Sequence, residues 1–513
     1  MARRRAVRAR IALLTAGVLL AGCGSTVHLG ATAQNPVGGD GLTPVLPNAT
    51  STSAAGGATA GSQPGTVPGS SGSVPDSANG GATGTNTTGS NGDVPAYQAP
   101  SGAVTAKTIS IGFIYTTGRQ EAAAALGAAG VTSGDELAQW KLLIDDVNAH
   151  GGLGGRTIKP VFFGQSNTSG GTTASSEAAA CATFTQDNHV AAALSSFEFT
   201  SNFLTCMEKK GIPTFYSLET VNDTPMLQAN PLHFEASNLA LDRQGTELAA
   251  SLARTKYFAS TPPAVNGIIT YDVPEYVRAA KVLEEALKAQ GQTVKITAKI
   301  RFADRTSDTS NTAAAISNAE LRMASAGVNH VMIFDLNGLL SLLFMTNAES
   351  QGYRPRYGLT SQSSGSHLAD LLGASANGQL KNATGIGWIP VLDLSKSEYP
   401  GGKGPVARET CRRIMLKGGQ SQGLSSPGAE LVALGQCDDI FMLQKAFRNV
   451  TGAVSGSVIQ KAIEGLGTGF ATAQSFSTRF GPGRHDGVSS ARDMAYVVGC
   501  KCFRYTSGIF ALS

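Results

Sequence analysis

Two hydrophobic rhythms alternate along the chain from residue 108 onward. Residues 108–115, TISIGFIY, are a β-branched apolar run that stops at Thr116-Thr117-Gly118 and predicts a strand. Residues 134–150, GDELAQWKLLIDDVNAH, place Leu137, Trp140, Lys141, Ile144 and Val147 at helical spacing and end in Gly151-Gly152, a helix stop signal. The same alternation continues through a strand TIKPVFFG, a helix TTASSEAAACATFTQD, a strand VAAALS, a helix TSNFLTCMEKKG and a strand IPTFYS. It resumes with GIITYD (267–272), the helix EYVRAAKVLEEALKAQG (275–291), then KITAKIRF and HVMIFDL (330–336). Strands interleaved with helices of this length mean βαβ units and parallel sheets. The fold class is therefore α/β, with two doubly wound lobes. In such sheets ligands sit outside the carboxyl ends of the strands. That directs attention to 115–120, 194–201, 216–221, 270–276, 334–338 and 359–364.

The first hundred residues break both rhythms. Arg3, Arg4, Arg5, Arg8 and Arg10 precede the apolar stretch 11–22, IALLTAGVLLAG. A bilayer-spanning helix needs roughly 20 residues, so this shorter run suits a secretory signal peptide, residues 1–22. It ends in Leu20-Ala21-Gly22-Cys23, which resembles the bacterial lipoprotein lipobox. That likeness implies cleavage before Cys23 and acylation of its sulfur and new amino group. Residues 24–104 are mostly Gly, Ser, Thr, Ala, Asn and Pro with almost no charge, too little apolar surface to offset the entropy of folding. They read as a disordered tether with a reach on the order of 50 Å. No later segment approaches the length of a membrane-spanning helix.

Charge and cysteines narrow the picture further. The whole chain is +4, but the leader carries five Arg and no acid, so its removal leaves −1. The basic balance belongs to targeting, and no clustered basic face points to nucleic acid. The remaining 105–513 is too long for one core, which makes two lobes the natural division. Six cysteines follow Cys23, an even number that suggests disulfides in an exported chain. The sequence-near pairs are the expected ones: Cys181 with Cys206, Cys411 with Cys437, and Cys500 with Cys502. Without a CxxC or a nearby His pair, no metal or other cofactor is expected.

The opening of the folded part carries a resemblance. The strand at 108–115, Thr116-Thr117-Gly118, then Asn148, Gly151, Gly152, Gly155, Arg156 and Ile158 resemble the start of a type I periplasmic binding protein of the branched-chain amino acid group. RFGPGRHDG (479–487) followed by DMAYVV is similar to the near-C-terminal turn and strand of that group. The resemblance implies two lobes joined by three crossover segments, 105–237 with 365–480 and 238–364 with 481–513. It implies a non-enzymatic, monomeric clamp at the outer face of the cell membrane that closes on a small solute and presents it to an ABC permease. In the family the ligand's carboxylate binds a serine after the third strand, here Ser195 or Ser196, and residues after the fourth, here Ser217 with Thr220. The opposing lobe supplies an aromatic, matched by Tyr276, and an aromatic near Tyr115 lines the other wall. A helix cap is the competing role for Ser195, Ser196 and Thr200.

The sequence departs from that pattern at the ammonium site. Amino-acid-binding members place an acid after a later strand of the second lobe; here 357–365, YGLTSQSSG, offers Ser361 and Gln362 and no carboxylate. Glu198, Glu219, Asp272 and Asp335 are the acids that could substitute, or else the ligand lacks an amino group. Two other readings weigh less. Gly419-Gln420-Ser421-Gln422-Gly423 matches G-x-S-x-G, but it follows a helix-like segment where a nucleophile elbow needs a strand. His485 lies in a Gly-rich turn with no nucleophile placed beside it. A tethered ligand sensor of the same fold is the alternative to a transport role, and fold alone does not separate the two.

Overall fold

A computed structural model describes residues 102–121, 133–167, 172–196, 200–301, 309–336, 338–395 and 405–513. The first layer opens with β1 (Thr108–Thr117), α1 (Glu136–Ala149), β2 (Thr157–Ser166), α2 (Thr173–Ala182), β3 (Ala192–Ser195), α3 (Ser201–Lys209), β4 (Thr214–Phe215), α4 (Thr224–Ala229) and β5 (His233–Phe234). Its five strands are parallel and run in the order β2-β1-β3-β4-β5. The buried stripe of α1 is Trp140, Leu143, Ile144 and Val147. Lys141, expected on that stripe, is exposed, because the four-carbon stem keeps its ammonium in water. Trp140 closes the layer by donating its indole N–H to Ile114 O at 3.1 Å.

The shared opening motif has a local mechanism. Asn148 receives the Ile158 N–H at 2.8 Å on Oδ1, so the end of α1 is stitched to the start of β2. Gly152 sits at φ +66°, and a Cβ there would lie 2.0 Å from Arg156 O. Only glycine accepts both that dihedral and that approach.

The second layer follows with α5 (Leu241–Arg254), β6 (Asn266–Tyr271), α6 (Pro274–Ala289), β7 (Val294–Ile300), α7 (Thr309–Ser325), β8 (His330–Ile333), α8 (Leu339–Ser350), β9 (Arg356–Thr360), α9 (Gly365–Leu372) and β10 (Thr384–Gly387). The chain then returns to the first layer with α10 (Val406–Lys417), α11 (Pro427–Phe447) and α12 (Gly456–Glu464). It ends back in the second with β11 (Ser490–Val497), β12 (Cys502–Tyr505) and β13 (Phe510–Ala511). The second sheet runs β12-β11-β10-β9-β8-β6-β7, parallel except where β11 meets β10 and β12. Its parallel part, β7-β6-β8-β9-β10, repeats the winding of the first sheet. Each sheet therefore has a switch point, between β1 and β3 and between β6 and β8, where a ligand crevice forms.

One expected boundary is corrected. β10 pairs with β9 and β11, so the chain stays in the second lobe past Gly387 and does not leave it at 365. The cause is a further strand: residues 384–387, TGIG, are too short and too rich in glycine to announce themselves as one. The cysteines bond as Cys181–Cys206 between α2 and α3, Cys411–Cys437 between α10 and α11, and Cys500–Cys502 at the β11–β12 turn.

The first and third crossovers lie side by side. Glu235 N–H donates to His485 O at 2.9 Å, Gly487 N–H to Glu235 O at 2.7 Å, and Val488 N–H to Asn238 O at 3.1 Å. The Asp486 carboxylate accepts Ala240 N–H at 2.9 Å and pairs with Arg243.

Candidate functional site

The carboxyl ends of β3 and β4 carry the serines that the sequence singled out, and both are fully buried. Ser196 is not a helix cap. The next helix starts at Ser201 behind Thr200, and the Ser196 hydroxyl accepts Gln436 Nε2–H from α11 at 2.8 Å. Arg119 bonds the Ser196 carbonyl at 2.9 Å and ion-pairs with the buried Glu136 at 3.1 Å. Ser195 ends β3 and is wholly enclosed. The Ser217 hydroxyl donates to Asp439 Oδ1 at 2.5 Å and accepts Ala236 N–H at 2.8 Å. Thr220 Oγ1 closes its own turn by accepting Asn222 N–H at 2.9 Å.

Gln436 and Asp439 come from α11, which packs on α1 and β3. Gln436, Asp438 and Asp439 are buried in the middle of that helix. Asp438 accepts the Ser237 hydroxyl at 2.5 Å and the Ala473 N–H at 2.5 Å, so it joins the first and third crossovers. Burial pushes its carboxyl up to about 7, against the lowering effect of those donors. Burial also holds Asp439 well above the usual carboxylate range, and the nearby Asp438 and Glu235 add to the effect. Sequence reasoning missed this triad, although its signal was present: GQCDDI interrupts the apolar run LVAL…FML of one long helix.

The second lobe brings Tyr276, Asp335, Ser361, Gln362 and Trp388 to the carboxyl ends of β6, β8, β9 and β10. The Tyr276 hydroxyl lies 3.4 Å from both Thr220 O and Asp335 O, so it spans the two lobes. Beside it Arg278 donates to Asp223 at 2.5 and 3.0 Å, a two-pronged ion pair from α6 to the loop after β4. The lobes are thus in contact. Ser361 Oγ accepts the Trp388 N–H at 2.8 Å and the Ile389 N–H at 3.2 Å, which ties the end of β9 to that of β10. Tyr115, half-buried, is not brought to this group; its ring lies against Gly164 of the edge strand β2, so that a Cβ there would be 2.9 Å from its hydroxyl.

The acids that could receive an ammonium separate clearly. Asp335 is committed to α8: Oδ1 accepts Leu336 and Leu340 N–H at 2.8 and 3.0 Å, and Oδ2 accepts Ser341 N–H at 2.7 Å. Burial raises its carboxyl to about 6 even so. Asp272 is exposed. Glu219 is buried in the loop after β4, and Glu198 lies outside the described residues.

Buried side-chain atoms with no hydrogen-bond partner in the protein include the Gln362 amide (both atoms) and Trp388 Nε1 beyond β9 and β10, Gln436 Oε1 and Asp439 Oδ2 on α11, and Gln474 Oε1 in the loop after α12. Gln474 also reaches Ser217 O through its Nε2. Each such atom costs about 1–3 kcal/mol unless a ligand or water meets it. The G-x-S-x-G segment shows nothing comparable: Ser421 begins a one-turn 3-10 helix after α10. His485 pairs with Glu464 at 3.0 Å over the ring of Phe234. Among the described residues no group of His, Cys, Asp and Glu is arranged to hold a metal, and no helix is long and apolar enough to cross a membrane.

No protein-family model matches the chain, and no curated protein matches it. Solved structures do. A possible leucine/isoleucine/valine-binding protein from Rhodopirellula baltica SH 1 matches at 13% identity and TM-score 0.54, over 80% of this chain and 97% of that one. A branched-chain amino acid ABC transporter protein from Thermus thermophilus with bound valine matches at 15% and 0.55, over 79% and 97%. An ABC transporter solute-binding protein from R. palustris in complex with 4-hydroxybenzoate matches at 16% and 0.57, over 79% and 98%. At these identities the likeness is one of architecture: the chain has the two-lobed fold of the type I periplasmic binding proteins.

Proposed function

We propose that the chain is a lipid-anchored, extracytoplasmic solute-binding protein of an ABC importer, which captures a small solute between its lobes and delivers it to a membrane permease. The carrying observation is the set of buried, unpartnered polar atoms from both lobes: Gln362 and Trp388 beyond β9 and β10, and Gln436 and Asp439 on the helix that bonds Ser196 and Ser217. A polar solute enclosed there would complete their hydrogen bonds, and contacts from the second lobe would favour the closed form. The solved structures with bound valine and 4-hydroxybenzoate support a small carboxylate-bearing ligand, the class that the Ser195, Ser196, Ser217 and Thr220 loops would face. The lipobox at Cys23 and the segment after it support the anchor.

Thermal melting of the purified chain against amino acids, amides, small carboxylates and aromatic acids tests this. A ligand at a hundred times its Kd adds about 2.7 kcal/mol to stability, so a binder raises the melting temperature by several degrees. Ser196→Ala is expected to weaken that ligand while the fold persists. No shift with any solute, together with ester or peptide hydrolysis abolished by Ser421→Ala, would overturn the proposal.

A further inference from the structure

Gln362 lies in the stretch 357–365, which holds no acid, and its surroundings say what it would meet. It lies in the short turn Ser361–Ser363 just after β9, and Trp388 lies just after β10. Thr360 and Ile386 are register partners, so Gln362 and Trp388 occupy equivalent places, each two residues beyond that pair. Gln362 is 1% exposed and Trp388 0%. The backbones of both are held: Gln362 N–H donates to Thr360 Oγ1 at 3.2 Å, Gln362 O accepts Gly338 N–H at 3.0 Å, and Trp388 N–H donates to Ser361 Oγ at 2.8 Å. The side chains are not held. The amide oxygen, the amide nitrogen and the indole nitrogen all lack a protein partner.

Two donors and one acceptor are therefore stationed in one part of the second lobe, beside two buried acids. Asp335 already receives three backbone N–H groups. Asp393, the other buried acid nearby, accepts Ile389 N–H at 3.1 Å and the Tyr505 hydroxyl at 2.6 Å, both on Oδ2; its Oδ1 has no partner in the protein, and burial raises the carboxyl to about 7, towards its uncharged form. An ammonium brought here would exchange its water for one amide oxygen and a carboxyl that burial holds towards its uncharged form, and neither compensates a buried charge. An uncharged group that both donates and accepts would satisfy the glutamine amide and the indole together.

We propose that this half of the site recognises an uncharged hydrogen-bonding head group, a hydroxyl or carboxamide, and discriminates against an ammonium. The inference rests on the solute-binding reading above. Its test uses matched pairs that differ only in that group: valine against 2-hydroxy-3-methylbutanoate, and 4-(aminomethyl)benzoate against 4-(hydroxymethyl)benzoate, each titrated calorimetrically into the full chain. The hydroxy member of a pair is expected to bind at least about tenfold more tightly. Gln362→Glu should reverse the order. Gln362→Met, of similar volume and without a buried charge, should erase the preference if the glutamate variant does not fold, and Trp388→Phe should weaken the hydroxy member alone. Tighter binding of the ammonium members to the unaltered protein, or an order unchanged by both Gln362 variants, overturns the inference and leaves solute binding intact. Absence of binding by all four solutes and by the wider panel overturns both.

Discussion

Asp438 is a carboxyl group without access to water, and that makes it a reporter of pH. In the unfolded chain an Asp titrates near 3.9, whereas burial raises Asp438 to about 7 in the fold. Between those values the native state holds a proton that the unfolded state has released, so stability falls as pH rises. The contribution is complete below about pH 4 and lost as pH passes through about 7. Asp335, raised to about 6, and Asp393, raised to about 7, act with the same sign. The melting temperature should be higher at pH 5 than at pH 8. Asp438→Asn should flatten the profile by an amount on the order of 4 kcal/mol at most, at about 1.4 kcal/mol per unit. A melting temperature that climbs from pH 5 to pH 8 would contradict the assignment. At this scale the sequence was only half legible. It located Ser217 and Ser361 at the correct strand ends, yet their hydroxyls bond to Asp439 and to the Trp388 and Ile389 backbone. Which partner a buried hydroxyl finds depends on residues 27 to 222 positions away, beyond the reach of local pattern.

Single elements carry the next set of consequences. Helix α6 points Tyr276 and Arg278 at the first lobe, and Arg278 keeps a second partner, Glu275 at 3.2 Å, on its own helix. Asp223 likewise keeps the Met226 N–H at 3.1 Å that it caps. Each has a home if the lobes separate, so the pair can break and remake reversibly. Arg278→Gln should enlarge the radius of gyration of the ligand-free chain in solution scattering and weaken any ligand by about tenfold, with Arg278 half-exposed and Asp223 buried. Unchanged scattering would show that the pair does not govern closure. The disulfides differ in the same way. Cys411 and Cys437 are 26 residues apart and both fully buried. Replacing both with serine should lower stability by about 3.5 kcal/mol from loop entropy alone, read by chemical denaturation. Cys500 and Cys502 are 2 residues apart at an exposed turn, and their replacement should cost about 1.5 kcal/mol. Equal losses from the two replacements would refute the loop-length account.

The whole molecule repeats one winding order twice; rhythm announced the parallel α/β class, and chain length the two lobes. β-branched runs followed by amphipathic helices fix parallel strands, and the Gly152 turn with its Asn148 stitch fixes how the first unit closes. What rhythm did not give was the return path. The glycine-rich β10 has no alternation to detect, and α11 reads as an ordinary buried helix until its polar triad is seen bonding loops from β3, β4 and both adjoining crossovers. That return path has a consequence for how the protein is made. The first lobe lacks α11 until residue 447 has been synthesised, and the second lacks β11 and β12 until residue 505 has been. The first lobe can bury its full core only after β6 to β10 of the second have been made, so it does not form as a finished N-terminal domain ahead of the rest. A fragment stopped before Pro427 would lack Gln436 and Asp439, the partners of the Ser196 and Ser217 hydroxyls on α11.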